Sequence, residues 1–348
     1  MNKKPSTVAK ISAFAVIGSL FLLAAGCNKS ETQPAGGTQQ ESAAQQEAPV
    51  QNLPEEIRLD YANWNPVSLI LHEHGFLEDE FKEDNVKITW AFSQGSNKSM
   101  EFLLSGSVDF AASAGMAAMV SFINGNPITT LSMTNTSEPT LMVRSDSDIK
   151  EVADIKGKTV AVTPGTDPYL FLVRALSTAN LTINDIELVN LQHADGRNAL
   201  LREQVDVWAG LDPLQSESEL EGSAKYLYRN IDFSTHVVLS VNNDFLKNYP
   251  DIVVRVLSAH EKARQWAKDN PDEYLALVAR QAKIPPEVAK LMLEKYSIEV
   301  GEITDTLIQA LIDTGAELKR TGVIKEEVDI QDVLNRLIDK SYFEKVGK

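Results

Sequence analysis

The sequence predicts an α/β protein of two lobes, each a mixed β-sheet with helices, followed by a helical C-terminal tail. Three observations carry this. A rhythm of short apolar strand, glycine- or serine-bearing turn and helix runs from Ile57 to Met133, then restarts at Thr159 and continues to Val241. From Asp244 onward apolar positions recur at helical spacing: Ile252, Val253, Val256, Leu257 and His260, then Leu307, Leu311, Thr314 and Leu318. The body from Ile57 to Lys348 is too large for one typical core. Its cohesion must come from apolar burial, because Cys27 is the only cysteine and no intrachain disulfide can form.

Taken in order, Ile57–Tyr61 alternates apolar and polar residues as a strand does, and Asn63-Trp64-Asn65-Pro66 turns the chain. Pro66 suits a first helical position, so Val67–His72 continues as helix. Val86–Phe92 is a strand, Gln94-Gly95-Ser96-Asn97 a turn, and Lys98–Leu104 a helix. A short strand is expected at Val108–Ala112, with Ser113-Ala114-Gly115 leading into a helix at Met116–Ile123 and a strand at Ile128–Met133. The second unit reads Thr159–Val162 as strand, Thr163–Pro168 as turn and Tyr169–Thr178 as helix. Glu187–Leu191 is a strand, Asp195 opens a helix through Glu203, and Val207–Gly210 is a strand closed by Leu211-Asp212-Pro213. Val237–Val241 is a later strand. The expected division is lobe 1 over 56–140 and 239–348, with lobe 2 over 141–238. The chain would cross between lobes near Pro139–Val143 and again near His236–Val241, making a two-strand hinge. No 20- to 50-residue repeat is present, which argues against a solenoid.

Ahead of the body, Lys3, Lys4 and Lys10 precede a short apolar run, Ile11–Ala25, and small residues lead into Cys27. A membrane span needs about 20 apolar residues, and this run is shorter and interrupted by serines and a glycine. The segment resembles a bacterial lipoprotein signal peptide, which implies removal of residues 1–26, lipidation of Cys27, and a site of action on the outer face of the cell membrane. Residues 27–55 carry little to bury and read as a flexible tether, with a random-coil reach of roughly 30 Å. The formal charge of −16 becomes −19 once Lys3, Lys4 and Lys10 are lost. Such a charge argues against nucleic acid and against electrostatic attachment to anionic lipid. It leaves a small anionic ligand open, because repulsion is screened beyond about 8 Å at physiological salt.

Several strand ends carry small and hydroxyl residues just before a helix: Gly95-Ser96-Asn97, Ser113-Ala114-Gly115, Gly165-Thr166-Asp167 and Asp195-Gly196. Helix N-termini present unpaired N–H groups and bind anions readily, although each residue alone is also an ordinary cap. In open α/β sheets such strand ends face the ligand crevice. Three blocks then stand out: Leu103-Leu104-Ser105-Gly106-Ser107-Val108-Asp109-Phe110; Val152-Ala153-Asp154-Ile155-Lys156-Gly157-Lys158-Thr159-Val160-Ala161-Val162; and His193-Ala194-Asp195-Gly196-Arg197 followed by Val205-Asp206-Val207-Trp208-Ala209-Gly210-Leu211-Asp212-Pro213. In order and spacing they resemble the solute-binding proteins of ABC importers for nitrate, sulfonates and taurine, and the third block is most similar to the sulfonate branch. The resemblance implies a bilobed periplasmic-binding-protein fold (type 2) that binds a small organic anion in its cleft and delivers it to a permease with a cytoplasmic ATPase. It implies no cofactor, no catalysis and a monomer.

Carried over residue by residue, the family's site falls on Asn63 and Trp64; on Gln94, Gly95 and Ser96; on Ser113, Gly115 and Met116; on Gly165, Thr166, Asp167 and Tyr169; and on Trp208 and Asp212. Backbone and hydroxyl donors would hold the anionic head, and Trp64, Tyr169, Met116 and Trp208 are the candidates to cover an organic tail; core packing is the alternative for each aromatic, and for Trp208, in a strand, it is the favoured one. Asp167 departs from the Ser, Thr or His common in relatives, so it caps a helix or receives the amine of a zwitterion such as taurine. Nitrate, bicarbonate and a thiamine-precursor pyrimidine are the alternative ligands. An extracellular enzyme or a structural surface lipoprotein is the rival class. His72-Glu73-His74 lacks a helical metal spacing, the five histidines come with no second cysteine, and neither a G-x-S-x-G nucleophile turn nor a P-loop occurs.

Overall fold

The computed structural model describes residues 52–347, so the expectations for residues 1–26, for Cys27 and for most of the tether lie outside the described residues. The chain begins with β1 (Glu56–Tyr61), α1 (Pro66–His74), α2 (Phe76–Glu80), β2 (Lys87–Phe92), α3 (Ser96–Ser105), β3 (Phe110–Ala114), α4 (Gly115–Ile123) and β4 (Ile128–Ser137). It continues with β5 (Thr140–Arg144), β6 (Thr159–Val162), α5 (Asp167–Thr178), β7 (Glu187–Asn190), α6 (His193–Leu201), β8 (Val207–Gly210), α7 (Leu214–Leu220) and β9 (Ala224–Tyr228). Then come β10 (Thr235–Asn242), α8 (Asn243–Asn248), α9 (Pro250–Asp269), α10 (Pro271–Ala282), α11 (Pro286–Leu293), β11 (Tyr296–Ser297), α12 (Asp305–Arg320) and α13 (Ile330–Leu337).

These strands form two sheets, ordered β11-β4-β10-β3-β1-β2 and β7-β6-β8-β5-β9. Both are mixed. In the first, β1 runs parallel to β2 and β3 while β10 is antiparallel to β3 and β4. In the second, β6 is parallel to β7 and β8 while β5 is antiparallel to β8 and β9. The chain leaves the first sheet after Ser137 and rejoins it at Thr235.

Successive residues of a strand point to opposite faces, and here both faces are covered. Phe110 packs with Ile57, Leu59, α1 and α9 on one side, whereas Ala111 packs with α3, α4 and α12 on the other. Val160 and Val207 meet Phe171 and Leu172 of α5, while Ala161 and Trp208 meet Ala199 and Leu200 of α6. Two-sided coverage explains why β3 and β8 are buried at every position and lack polar alternation. Each fully buried Leu, Ile or Phe adds about 1.5 to 3 kcal/mol.

Helix starts follow proline: Pro66, Pro168, Pro250, Pro271 and Pro286 each sit in a first turn, where the missing N–H costs nothing. Several expected boundaries move: α3 starts at Ser96 rather than Lys98, α5 at Asp167 rather than Tyr169, β4 runs on to Ser137, and β10 spans Thr235–Asn242. Strand β3 begins two residues later than expected, because the Asp109 amide bonds Arg58 O at 2.8 Å and the Arg58 guanidinium grips the Asp109 carboxylate. Ser113 and Ala114 are therefore strand residues paired with Val238 and Val237, and the helix starts at once with Gly115. Helix α6 opens at His193, so Asp195-Gly196 lies within its first turn rather than before it. Strands β5 and β9 had not been expected; β5 lies where a crossing was placed.

Candidate functional site

A buried carboxylate organises the first-lobe turns. Asp60, at the end of β1, accepts hydrogen bonds from the Ala112 amide at 2.9 Å, the Ser93 hydroxyl at 2.7 Å and the Ser99 hydroxyl at 2.8 Å. It thereby ties the ends of β1, β2 and β3 to α3. Burial lifts its pKa to about 6, and these donors pull against that lift. Ser96 caps the arrangement from the next turn, its hydroxyl accepting the Ala114 amide at 2.9 Å.

The strand ends so ordered enclose two cavities. The larger, about 360 Å³, lies where the ends of β1 and β2 meet those of β7 and β8. Of the residues read from the sequence, Asn63, Trp64, Gln94 and Asp212 line it. Gly95 stands at its edge: a side chain there would put Cβ 3.1 Å from Nε2 of His193, so the glycine is what lets the imidazole reach across from the other lobe. The smaller cavity, about 20 Å³, lies beyond the ends of β3 and β6 and takes Gly115, Met116 and Asp167 together with Arg174 and His236.

The remaining expected residues line neither cavity. The Ser96 and Ser113 hydroxyls bond the backbone of Ala114, and Thr166 Oγ1 donates to Thr163 O at 2.7 Å. Gly165 adopts a left-handed φ of 75°, which shapes the turn into α5. Tyr169 packs in the lobe-2 core. Trp208, a candidate to cover a ligand tail that reads rather as a core residue of its strand, is 0% exposed between Met142, Ala161 and Leu200, with Gly196 and Gly210 closing on its indole. It is in the core because β8 is a central strand with both faces covered.

The larger cavity also holds residues that sequence reasoning did not single out as ligands, chiefly Gln192, His193 and Lys283. Buried polar atoms almost always find partners, yet four atoms here have none among the described residues: Trp64 Nε1, Gln192 Oε1 and both ring nitrogens of His193. Desolvation lowers His193 to about 4, so it is neutral at pH 7. Leu211, Leu214 and Ile284 supply apolar wall.

The charges around this cavity are largely paired. Asp212 Oδ2 meets Lys295 Nζ at 2.7 Å with both side chains 2% exposed, and its Oδ1 accepts from the Ser216 amide and hydroxyl. Glu217 is held by Arg197 at 2.8 Å. Asp195 and Lys283 complete the charged lining. The sequence carried a signal for Lys295 and Asp212 only as residues; their pairing spans the lobes, between the turn ahead of β11 and the end of β8.

A family model described as "NMT1/THI5 like" matches residues 72–274. A putative aliphatic sulfonates-binding protein of Bacillus subtilis (strain 168) is 27% identical over 297 residues, spanning 83% of this chain and 88% of the relative. The alkanesulfonate-binding protein SsuA from Xanthomonas axonopodis pv. citri, solved bound to MOPS, superposes with a TM-score of 0.74 at 22% identity, over 82% of this chain and 99% of that one. The desulfurization enzyme DSZB shares the architecture, with a TM-score of 0.61 at 16% identity over 84% of this chain and 98% of that one. The bilobed fold expected from the sequence is thus the one observed.

Proposed function

This chain belongs to the NMT1/THI5-like family, and from that premise we propose that it is the extracytoplasmic solute-binding receptor of an ABC importer, capturing a small organic sulfonate between its lobes. The observation that carries the ligand-binding reading is the set of unpartnered buried atoms on Trp64, Gln192 and His193 around one cavity. A buried donor left unmade costs about 1 to 3 kcal/mol; an anionic head removes that cost at Trp64 Nε1 and at the His193 N–H, whereas Gln192 Oε1, an acceptor, calls for a donor elsewhere on the ligand or on its water. The volume of about 360 Å³ lies in the range of small-molecule sites. It is larger than nitrate or bicarbonate requires, and the Leu211, Leu214 and Ile284 walls suit an organic tail. The sulfonate head group follows the name of the Bacillus relative.

Binding rather than turnover is supported by the lining itself. Its only serine, Ser93, gives its hydroxyl to Asp60 at 2.7 Å rather than to His193, so no Ser–His pair is formed there. Cys27 would hold the receptor to the membrane surface through lipid, with the tether allowing the monomeric body to meet a permease and its ATPase. If taurine is the ligand, its amine would face Asp195 of the larger cavity, since Asp167 lines the smaller one.

A thermal-shift panel tests the reading: alkanesulfonates of several lengths, taurine, benzenesulfonate, nitrate, bicarbonate and a thiamine-precursor pyrimidine. A ligand at a hundred times its Kd stabilises by about 2.7 kcal/mol, a rise of several degrees. The expected outcome is a response to sulfonates alone. A response confined to nitrate, bicarbonate or the pyrimidine would replace the substrate, and none at all would reopen the non-transport class.

A further inference from the structure

We infer that His193 is a ligand contact that takes up a proton as an organic sulfonate enters, so that capture by this receptor is coupled to protonation; this rests on the sulfonate reading above. Two independent observations carry it. The first is hydrogen-bond capacity. Both ring nitrogens of His193 are unpartnered and buried against the cavity. A neutral imidazole has one donor and one acceptor, and a sulfonate head only accepts. The neutral ring would leave its acceptor nitrogen unmade, whereas the imidazolium donates from both.

The second is charge balance. The groups facing His193 come from every element around the cavity. The turns after β1 and β2 present only uncharged side chains, Asn63, Trp64, Ser93 and Gln94, and Asp60 lies behind Ser93. Gly95 and Asn97 approach from the start of α3 and carry no charge. The β8–α7 segment presents Asp212, paired with Lys295, and Glu217, paired with Arg197 of α6. That leaves Asp195 on α6 itself against Lys283 at the end of α10. The lining holds three carboxylates and one lysine, and the cations behind it are already engaged, Lys295 by Asp212 and Arg197 by both Glu217 and Glu221, so a monoanionic head arrives without a counter-charge unless the imidazole supplies one.

Burial and its place in the first turn of α6 both keep His193 neutral before binding. From a pKa of about 4, roughly one ring in a thousand is protonated at pH 7. A bound anion raises that pKa. Affinity is then full at low pH and falls as pH rises, by up to about tenfold per unit until the bound-state pKa is passed.

Isothermal titration of the protein with pentane-1-sulfonate tests this between pH 5.5 and 7.5. Each pH uses two buffers of different ionisation enthalpy, neither a sulfonic acid. The ligand does not titrate in this range, so any proton taken up goes to the protein. The expected result is uptake approaching one proton and a Kd that weakens at least tenfold across the range. His193→Gln, which keeps a donor without the charge, should bind with a flat pH profile and no uptake. Should that variant fail to fold, the histidine ring signals of wild type, followed by NMR with and without ligand, give the same answer. Flat binding by wild type overturns the inference, and so does a slope that persists in His193→Gln, which would put the proton on a cavity carboxylate. Absence of binding by any sulfonate at any pH would instead fell the substrate reading on which it rests.

Discussion

Asp167 shows how a residue's surroundings decide its role. Its carboxyl is buried beside the smaller cavity, and desolvation raises it from 3.8 to about 7, against the pull of the Thr235 hydroxyl and the Arg174 charge. The folded state therefore holds the proton more tightly than the unfolded chain does. Relative to an ordinary carboxyl, stability is undiminished below about pH 4 and is lost progressively as pH rises toward 7. At about 1.4 kcal/mol per unit the loss approaches roughly 4 kcal/mol. Asp167→Asn should leave the melting temperature nearly unchanged at pH 4 and raise it clearly at pH 8, read by calorimetry at the two pH values. The Gly165-Thr166-Asp167 turn was legible in the sequence, because small and capping residues before a proline announce a helix start. The burial of the carboxylate was not: Arg174 lies two turns along the same helix, but Thr235 and the walls that bury the group are distant in sequence and meet it only in the fold. His193 is the sharper case. It stood inside a quoted block, yet no local signal says that both its nitrogens lack partners.

At the scale of elements, strand–turn–helix units read well because they need only local patterns: Pro66 and Pro168 mark helix starts. Strands β5 and β9 read poorly, because their partners are each other and β8, and their short segments show no clean alternation. The end of α10 is unusual in a useful way. Lys283 adopts a left-handed φ of 56° at the position where helices usually place glycine, and it lines the larger cavity. Lys283→Gly should relieve the backbone by about 1 kcal/mol, a gain of about 2 °C. The same change removes the cation that balances Asp195, so pentane-1-sulfonate should bind several-fold more weakly. A thermal melt and a titration on one sample would separate the two effects; a tighter Kd would show that Lys283 plays no part in charge balance.

Across the whole molecule, the ion pair between Lys295 and Asp212 joins the lobes at one flank, while Arg174 bonds Thr314 of α12 at 3.0 Å on another. Removing one member of a buried pair typically costs 3 to 5 kcal/mol, because the other charge is stranded. Lys295→Met should lose about that much in urea unfolding, and adding Asp212→Asn should restore most of it. The two-lobe plan was legible from the restart of the pattern at Thr159, but this pairing was not, since nothing local in Lys295 or Asp212 names its partner. The passages between the sheets have their own mechanics. Ser137 and Thr235 are register partners whose hydroxyls lie 3.1 Å apart, and Glu138 and Arg229 are paired through both guanidinium contacts at 3.0 and 3.1 Å. Two links clamped side by side resist torsion and shear far more than bending. The receptor proposed here is expected to bend about these paired links, so a distance between dyes on the two lobes should serve as a gauge of its state, shortening when pentane-1-sulfonate binds. A covalent staple between positions 137 and 235 would leave that gauge free to move, because both links turn together.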